Sequence, residues 1–165
     1  MPHYFVSYSS REPHVQILLD ALSLVLGAHF QQRRTPEALV SGKSQFDRIV
    51  KGIAQASFCV VILDGLRPNV VLEYGIMIGK EKSVLLFQEQ FAEVDAPGLF
   101  PEGFEVERTP LNIDTQVSDI KDLNRATWFR NDPKKTRRLV LEEYRKKRKE
   151  IPDFVEIEGT GPLFN

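Results

Sequence analysis

The residue that stands out chemically is a single carboxylate, Glu73, inside an apolar segment of helical length, Val70 to Ile78. An ionised carboxylate is costly to bury unless it is paired or used in chemistry. With Asn69 as the N-cap, Glu73 lies about one turn into the predicted helix, where the helix dipole favours its ionised form and desolvation opposes it. The residues alone leave two interpretations open: a structural ion pair with a base such as Arg67, or a functional carboxylate.

Short apolar stretches alternate with segments of helical periodicity along the first half of the chain. Two of these stretches are apolar throughout, which is typical of strands covered on both faces and indicates parallel β-α-β units. Right-handed crossovers then give an α/β fold with an open parallel sheet in the order 2-1-3-4, helices on both faces, and a fifth strand near Phe104–Ile113. The predicted strands are 4–8, 28–32, 58–63 and 83–87, and the predicted helices are 12–26, 43–55 and 70–79.

The second half of the chain is predicted to add a loop, two helices and a tail. Residues 88–103 are rich in proline and glycine, as surface loops are, while 118–129 and 133–149 are helix candidates. We therefore expect a single α/β domain over residues 1–150 and a tail over 151–165 that is a linker, a docking segment or disordered. The basic runs of the last helix are interpreted as a solvated or partner-facing surface rather than a nucleic-acid site.

Composition argues against several classes of protein. The 22 basic and 23 acidic residues give a net charge of -1, so nucleic acid is not an expected partner. The single cysteine, Cys59, cannot form an internal disulfide. No segment approaches the roughly 20 apolar residues of a membrane span, and no basic region followed by an apolar block opens the sequence, so we expect a cytoplasmic protein without membrane contact. His3, His14 and His29 are scattered without metal-ligand spacing, and no metal site is predicted.

Open parallel sheets bind ligands beyond the carboxyl ends of their strands, where the strand order reverses. In the predicted topology the loops 7–11 and 64–69 border that edge, and the second leads directly into the helix of Glu73. The first loop carries hydroxyl and guanidinium groups that suit a pyrophosphate, although serines before a helix are often plain caps. Asp64 is either a second functional carboxylate or a turn or cap residue. The candidate substrate-binding residues are Ser7, Ser9, Ser10, Arg11, Asp64, Arg67 and Asn69.

Two stretches carry a resemblance to a known family. The run YFVSYSS at residues 4–10 resembles the opening strand and loop of Toll/interleukin-1 receptor (TIR) domains. The run RPNVVLEYG at residues 67–75 resembles the helix of bacterial TIR-like and nucleoside 2-deoxyribosyltransferase-like proteins. The resemblance covers residues 4–87 and implies a flavodoxin-like sheet. It also implies that a glutamate on the helix after the third strand acts at an N-glycosidic bond, and by matching position that residue is Glu73.

The resemblance implies a hydrolase that takes NAD as its substrate, needs no cofactor and cleaves the bond between nicotinamide and ribose. It further implies self-association, a regulatory partner protein and a role in bacterial antiviral defence. Nicotinamide leaves as a neutral base, so one carboxylate can suffice, whereas an ordinary nucleobase usually needs protonation as it leaves. A nucleoside or nucleotide 2-deoxyribosyltransferase or hydrolase, and a non-catalytic TIR interaction module, remain as alternatives.

Overall fold

Parallel strands and the helices that connect them form the central part of the fold. The computed structural model describes residues 1–34, 42–95, 108–112 and 124–165. The strands are β1 (His3–Ser7), β2 (Gln31–Arg34), β3 (Phe58–Ile62), β4 (Val84–Glu89), β5 (Glu93–Asp95), β6 (Arg108–Pro110) and β7 (Ala126–Trp128). The helices are α1 (Val15–Leu26), α2 (Gly42–Gln55), α3 (Pro68–Gly79) and α4 (Pro133–Lys146).

The main sheet has five strands in the order β2-β1-β3-β4-β7, and every neighbouring pair is parallel. At its centre Val60 of β3 lies beside Val6 of β1 and Leu85 of β4. All residues of β1 and β3 are buried, because helices cover both faces of the sheet. The predicted fold class, a flavodoxin-like open parallel sheet, and the order 2-1-3-4 are confirmed.

The predicted position of the fifth strand was wrong. The fifth strand of the main sheet is Ala126–Trp128, which pairs with β4 and lies inside a segment predicted as helix. Arg108–Pro110 instead pairs antiparallel with Glu93–Asp95 in a separate two-stranded sheet. A strand of three residues is too short to show a period, and its pairing with β4 is decided by tertiary contacts. Of the predicted strand 104–113, residues 111 and 112 are described and belong to no strand. Of the predicted helix 118–129, residues 124, 125 and 129 are described and lie outside any helix. Apart from these residues and the two strands just named, both predicted elements lie outside the described residues.

Two apolar layers pack on opposite faces of the sheet. Side chains of α1 and α4 cover one face, which we call the α1/α4 face, and contact Val6, Val60 and Phe87. Side chains of α2 and α3 cover the other, the α2/α3 face, and contact Phe5 and Val61. Since side chains alternate along a strand, neighbouring residues of β1 or β3 belong to different layers. Among the described residues no helix is both long and apolar enough to cross a membrane.

Helix α3 begins two residues earlier than the sequence indicated. Its N-cap is Arg67, and Pro68 occupies the first turn, where the missing N–H of proline costs no hydrogen bond. Asn69 is therefore an exposed residue inside the helix and not its N-cap. Glu73 becomes the sixth residue of α3, in the second turn, where the helix dipole acts on it more weakly than predicted.

The tail after α4 is docked against that helix. Arginine side chains of α4 donate to main-chain carbonyls of the tail, in the pairs Arg137 with Leu163, Arg138 with Phe164 and Arg145 with Ile157. The hydroxyl of Tyr144 donates to the carbonyl of Val155 at 2.9 Å and accepts from its N–H at 3.0 Å. The tail therefore packs on α4, and three arginines of this basic helix have a structural role.

The first strand supplies a pH-dependent contribution to stability. Burial lowers the pKa of His3 below its ordinary 6.5; the hydrogen bond to the Gly52 carbonyl opposes this, and the charges of Arg33 and Lys82 add to it. The unfolded chain therefore takes up a proton below pH 6.5 that the folded chain resists, so stability is lost as the pH falls through that region.

We expect the free energy of unfolding to fall more steeply between about pH 7 and about pH 5 in the wild type than in His3→Gln, which removes the titrating group. Urea unfolding at several pH values measures both slopes. Parallel curves for the two proteins would contradict the assignment to His3.

Candidate functional site

A buried carboxylate at the carboxyl end of β3 connects three strands of the sheet. Asp64 is fully buried, and its Oδ1 accepts a hydrogen bond from the backbone N–H of Glu89 at 2.9 Å. Its Oδ2 accepts from the indole N–H of Trp128 at 3.2 Å. Asp64 thus holds the ends of β3, β4 and β7 together on the α1/α4 face, a role that its interpretation as a turn or cap residue did not include.

A second buried carboxylate, Glu89, ends β4 beside Asp64. Its Oε2 accepts from the guanidinium of Arg130 at 2.9 Å and from the N–H of Phe91 at 2.7 Å. Burial raises the pKa of Glu89, but these hydrogen bonds and the charge of Arg130 outweigh burial, so the pKa lies below its ordinary value. The turn that carries Arg130 is fixed by Thr136, whose hydroxyl donates to the carbonyl of Phe129 and accepts from its N–H.

An imidazole completes this group. His14 precedes α1, and its Nε2 lies 3.8 Å from Oδ1 of Asp64 while its Nδ1 lies 4.0 Å from Oε2 of Glu12. The ring stacks on Trp128 with 5.9 Å between the ring centroids. Arg108 holds Glu12 through a contact of 2.6 Å from Nη2 to Oε1. We call His14, Asp64, Glu89, Trp128 and Arg130 the edge cluster.

Glu73 belongs to the opposite face of the sheet. Its side chain is 2% exposed, and its helical neighbours Val70, Tyr74 and Met77 pack in the α2/α3 layer. Ser7, the last residue of β1, is fully buried and follows Phe5 by two positions, so it lies toward the same layer. Within the described part of the chain the Ser7 hydroxyl has no hydrogen-bond partner.

The remaining candidates occupy several positions. Ser9 is buried, and its hydroxyl accepts from the N–H of Arg11 at 3.3 Å, as in a turn. Ser10 and Arg11 are exposed, and Ser10 lines a cavity of about 170 Å³ together with Tyr8 and Arg34. Arg67 is half-buried at the start of α3, and Asn69 is exposed. The sequence candidates thus divide between the two faces of the sheet.

Most of the edge cluster was missed by sequence reasoning. His14 was set aside because histidines at linear positions 3, 14 and 29 show no ligand spacing, but the fold brings it to the end of β3. Trp128 is fully buried, as core aromatic residues usually are, yet its indole N–H donates to Asp64. Glu89 could have been found, because β4 continues two residues beyond the predicted end of the strand and places this carboxylate at the carboxyl edge.

The fold and its polar carboxyl edge define a flavodoxin-like α/β protein. No protein-family model matches the chain, and a search of curated proteins finds no match either. The function of the chain has therefore to be inferred from the geometry around Glu73 and of the edge cluster, and from the resemblance of residues 4–87.

The hydrogen bond between Asp64 and Trp128 should have a measurable effect on stability. Trp128→Phe keeps a buried aromatic ring but removes a donor to a buried carboxylate, so we expect the free energy of unfolding to fall by about 1.5 to 3 kcal/mol. A double-mutant cycle with Asp64→Asn isolates the pair, and we expect a coupling of about 1 kcal/mol or more. Strictly additive effects in urea unfolding would show that the two side chains do not depend on each other.

Proposed function

We propose that this chain is a TIR-like NAD hydrolase that cleaves the bond between nicotinamide and ribose, with Glu73 as its catalytic carboxylate. The observation that carries the proposal is the burial of Glu73 in the second turn of α3, the helix that begins at the carboxyl end of β3. Open parallel sheets bind their ligands at that edge. The matching position of Glu73 in the run RPNVVLEYG supports the same role.

The chemistry needs a negative charge beside the ribose carbon that loses its base. As the C–N bond breaks, its electron pair goes to nicotinamide, whose ring nitrogen becomes neutral, and positive charge develops on the ribose. A carboxylate at that position stabilises the oxocarbenium-like transition state. Water then adds to the same carbon and loses a proton, which gives ADP-ribose.

Nicotinamide is favoured over an ordinary nucleobase because the chain offers no second carboxylate suited to protonate a leaving base among the described residues of this edge. Asp64 accepts two hydrogen bonds from N–H groups. Glu89 is bound by Arg130 and has a lowered pKa, and Glu12 is bound by Arg108. A general acid requires a proton and therefore a raised pKa, which this environment does not favour for Glu89.

Substrate contacts are proposed from the same edge. The buried hydroxyl of Ser7 lies in the layer of Glu73 and suits a ribose hydroxyl. The exposed Ser10 and Arg11, together with the cavity of about 170 Å³ beside Ser10, suit a phosphate group. That cavity is smaller than the roughly 300 Å³ at which ligand pockets begin, so it would hold one part of a dinucleotide. Asp64 lies on the opposite face of the sheet from Glu73, and we assign it to holding the edge rather than to the substrate.

Glu73→Gln tests the catalytic role. The amide keeps the size of the side chain but removes its charge, so we expect the turnover number for nicotinamide release to fall on the order of a hundredfold or more while the melting temperature changes little. Glu81→Gln is the matched control, because Glu81 is an exposed carboxylate just beyond the end of α3. It should retain full activity.

A purely structural Glu73 predicts a different result. If it only neutralises a base, Glu73→Gln should lower the free energy of unfolding by an amount on the order of 3 kcal/mol and leave the activity per folded molecule unchanged. That outcome would end the catalytic assignment. Exchange of the base of a deoxynucleoside, without nicotinamide release from NAD, would instead identify the transferase alternative.

We further propose that self-association regulates the activity. Phe46 on α2 and Leu72 and Ile78 on α3 are each about half exposed, and exposed apolar side chains of this size favour contact with another surface. Specific activity should therefore fall on dilution as the sedimentation coefficient falls. This regulation would be contradicted by a monomer that keeps full specific activity at the lowest concentration. Assembly without any cleavage of NAD or a nucleoside would also contradict it and would favour a non-catalytic interaction module.

A further inference from the structure

We propose that His14, Asp64 and Glu89 bind a divalent transition-metal ion such as Zn²⁺. One potential ligand atom from each of the three side chains lies within 4.8 Å of the other two. The residues come from three elements: the segment before α1, the loop after β3 and the end of β4. This proposal is independent of NAD cleavage, because it concerns the α1/α4 face and not Glu73.

The spacing is close to that of a metal site. Zinc binds histidine nitrogen and carboxylate oxygen at about 2.0 to 2.2 Å in a tetrahedral arrangement, so two ligand atoms of one ion lie about 3.4 Å apart. Nε2 of His14 and Oδ1 of Asp64, 3.8 Å apart, are close to this spacing. The widest separation in the group, within 4.8 Å, has to close by about 1 Å or somewhat more when the ion binds.

Charge in the cluster is incompletely balanced without a cation. Arg130 forms an ion pair with Glu89, and Arg108 forms one with Glu12. No lysine or arginine in the described ranges forms an ion pair with Asp64, whose only such contact there is His14. The charge of Arg130 also acts on Asp64. The two carboxylates of Asp64 and Glu89 thus share one arginine, and a cation bound between them would complete the balance.

Two buried polar atoms of the cluster support the metal. Nε2 of His14 and Oε1 of Glu89 have no hydrogen-bond partner among the residues the structure describes. Buried polar atoms are nearly always satisfied by protein, water or an ion, so these two atoms indicate a ligand that they share. Imidazole nitrogen together with carboxylate oxygen favours zinc or another first-row transition metal over magnesium or calcium.

The surroundings hold each ligand as metal sites usually do. Nδ1 of His14 faces the carboxylate of Glu12, which would set the ring orientation that presents Nε2 to the ion. Trp128 orients Asp64, and Arg130 orients Glu89. Since the three ligands are only 14%, 0% and 1% exposed, the ion would serve to fasten the segment before α1 to the ends of β3 and β4.

Thermal unfolding of the chelator-stripped full chain tests the site. At Zn²⁺ concentrations about a hundredfold above the dissociation constant, we expect the melting temperature to rise by about 5 to 10 °C, with one equivalent of metal bound after desalting. Mg²⁺ at the same concentration should give a much smaller shift. His14→Phe, which keeps a ring against Trp128 but removes the nitrogen ligand, should lose the bound equivalent and the shift.

His29→Phe is the matched control, because His29 is partly exposed and lies in the connection between α1 and β2, outside the cluster. It should bind zinc as the wild type does. The melting temperature of His14→Phe in chelator shows whether this variant is folded before metal is added. If it is not folded, Glu89→Gln is used instead, and we expect its affinity for Zn²⁺ to be at least tenfold lower than that of the wild type. Three results would each overturn the proposal. The wild type binds no zinc, the variant of the edge cluster binds zinc as tightly as the wild type, or Mg²⁺ raises the melting temperature as much as Zn²⁺ does.

Discussion

The fully buried carboxylate of Asp64 is the interaction on which the carboxyl edge of the sheet depends. It accepts one hydrogen bond from the backbone of β4 and one from the indole of β7. A parallel sheet orders its strands through backbone hydrogen bonds along their length, but β7 has only three residues and contributes few of them. The contact between Asp64 and Trp128 therefore helps to fix the shortest strand, and with it the turn that presents Arg130 to Glu89.

The alternation of side chains along a strand divides this edge into two chemically different halves. Glu73 and Ser7 lie toward α2 and α3, in a layer that is otherwise apolar. The edge cluster lies toward α1 and α4 and consists of two carboxylates, an imidazole, an indole and a guanidinium group. The two halves share the strand β3, so a structural change at Asp64 would reach the start of α3 through the short loop from Gly65 to Arg67. Because the two halves lie on different faces of the sheet, a substitution in one half changes no side chain of the other, although both halves lie at one edge.

The central strands and the four helices could be predicted because each has enough residues to show a period of two or 3.6, or an unbroken apolar run. The burial of Glu73 followed from the same pattern. Ala126–Trp128 could not be predicted, since three residues carry no period and their pairing depends on β4. His14 could not be linked to Asp64 and Glu89 from the sequence. It lies 50 positions before Asp64, and Asp64 lies 25 positions before Glu89, so the three residues meet only through the order of the strands. The N-cap of α3 was misplaced because Asn69 is a common cap residue, whereas Pro68 is compatible with the first turn.

The docking of the tail on α4 has a consequence for how freely this sequence can vary. The arginines of α4 bind carbonyl oxygens of the tail, and a carbonyl is present whatever side chain the residue carries. The side chains that hold the tail on α4 are therefore mainly those of the helix itself, together with a few aromatic contacts such as Tyr144 with Phe154. Many substitutions in the tail would preserve its path, so related chains could share this arrangement while their last residues retain no recognisable similarity.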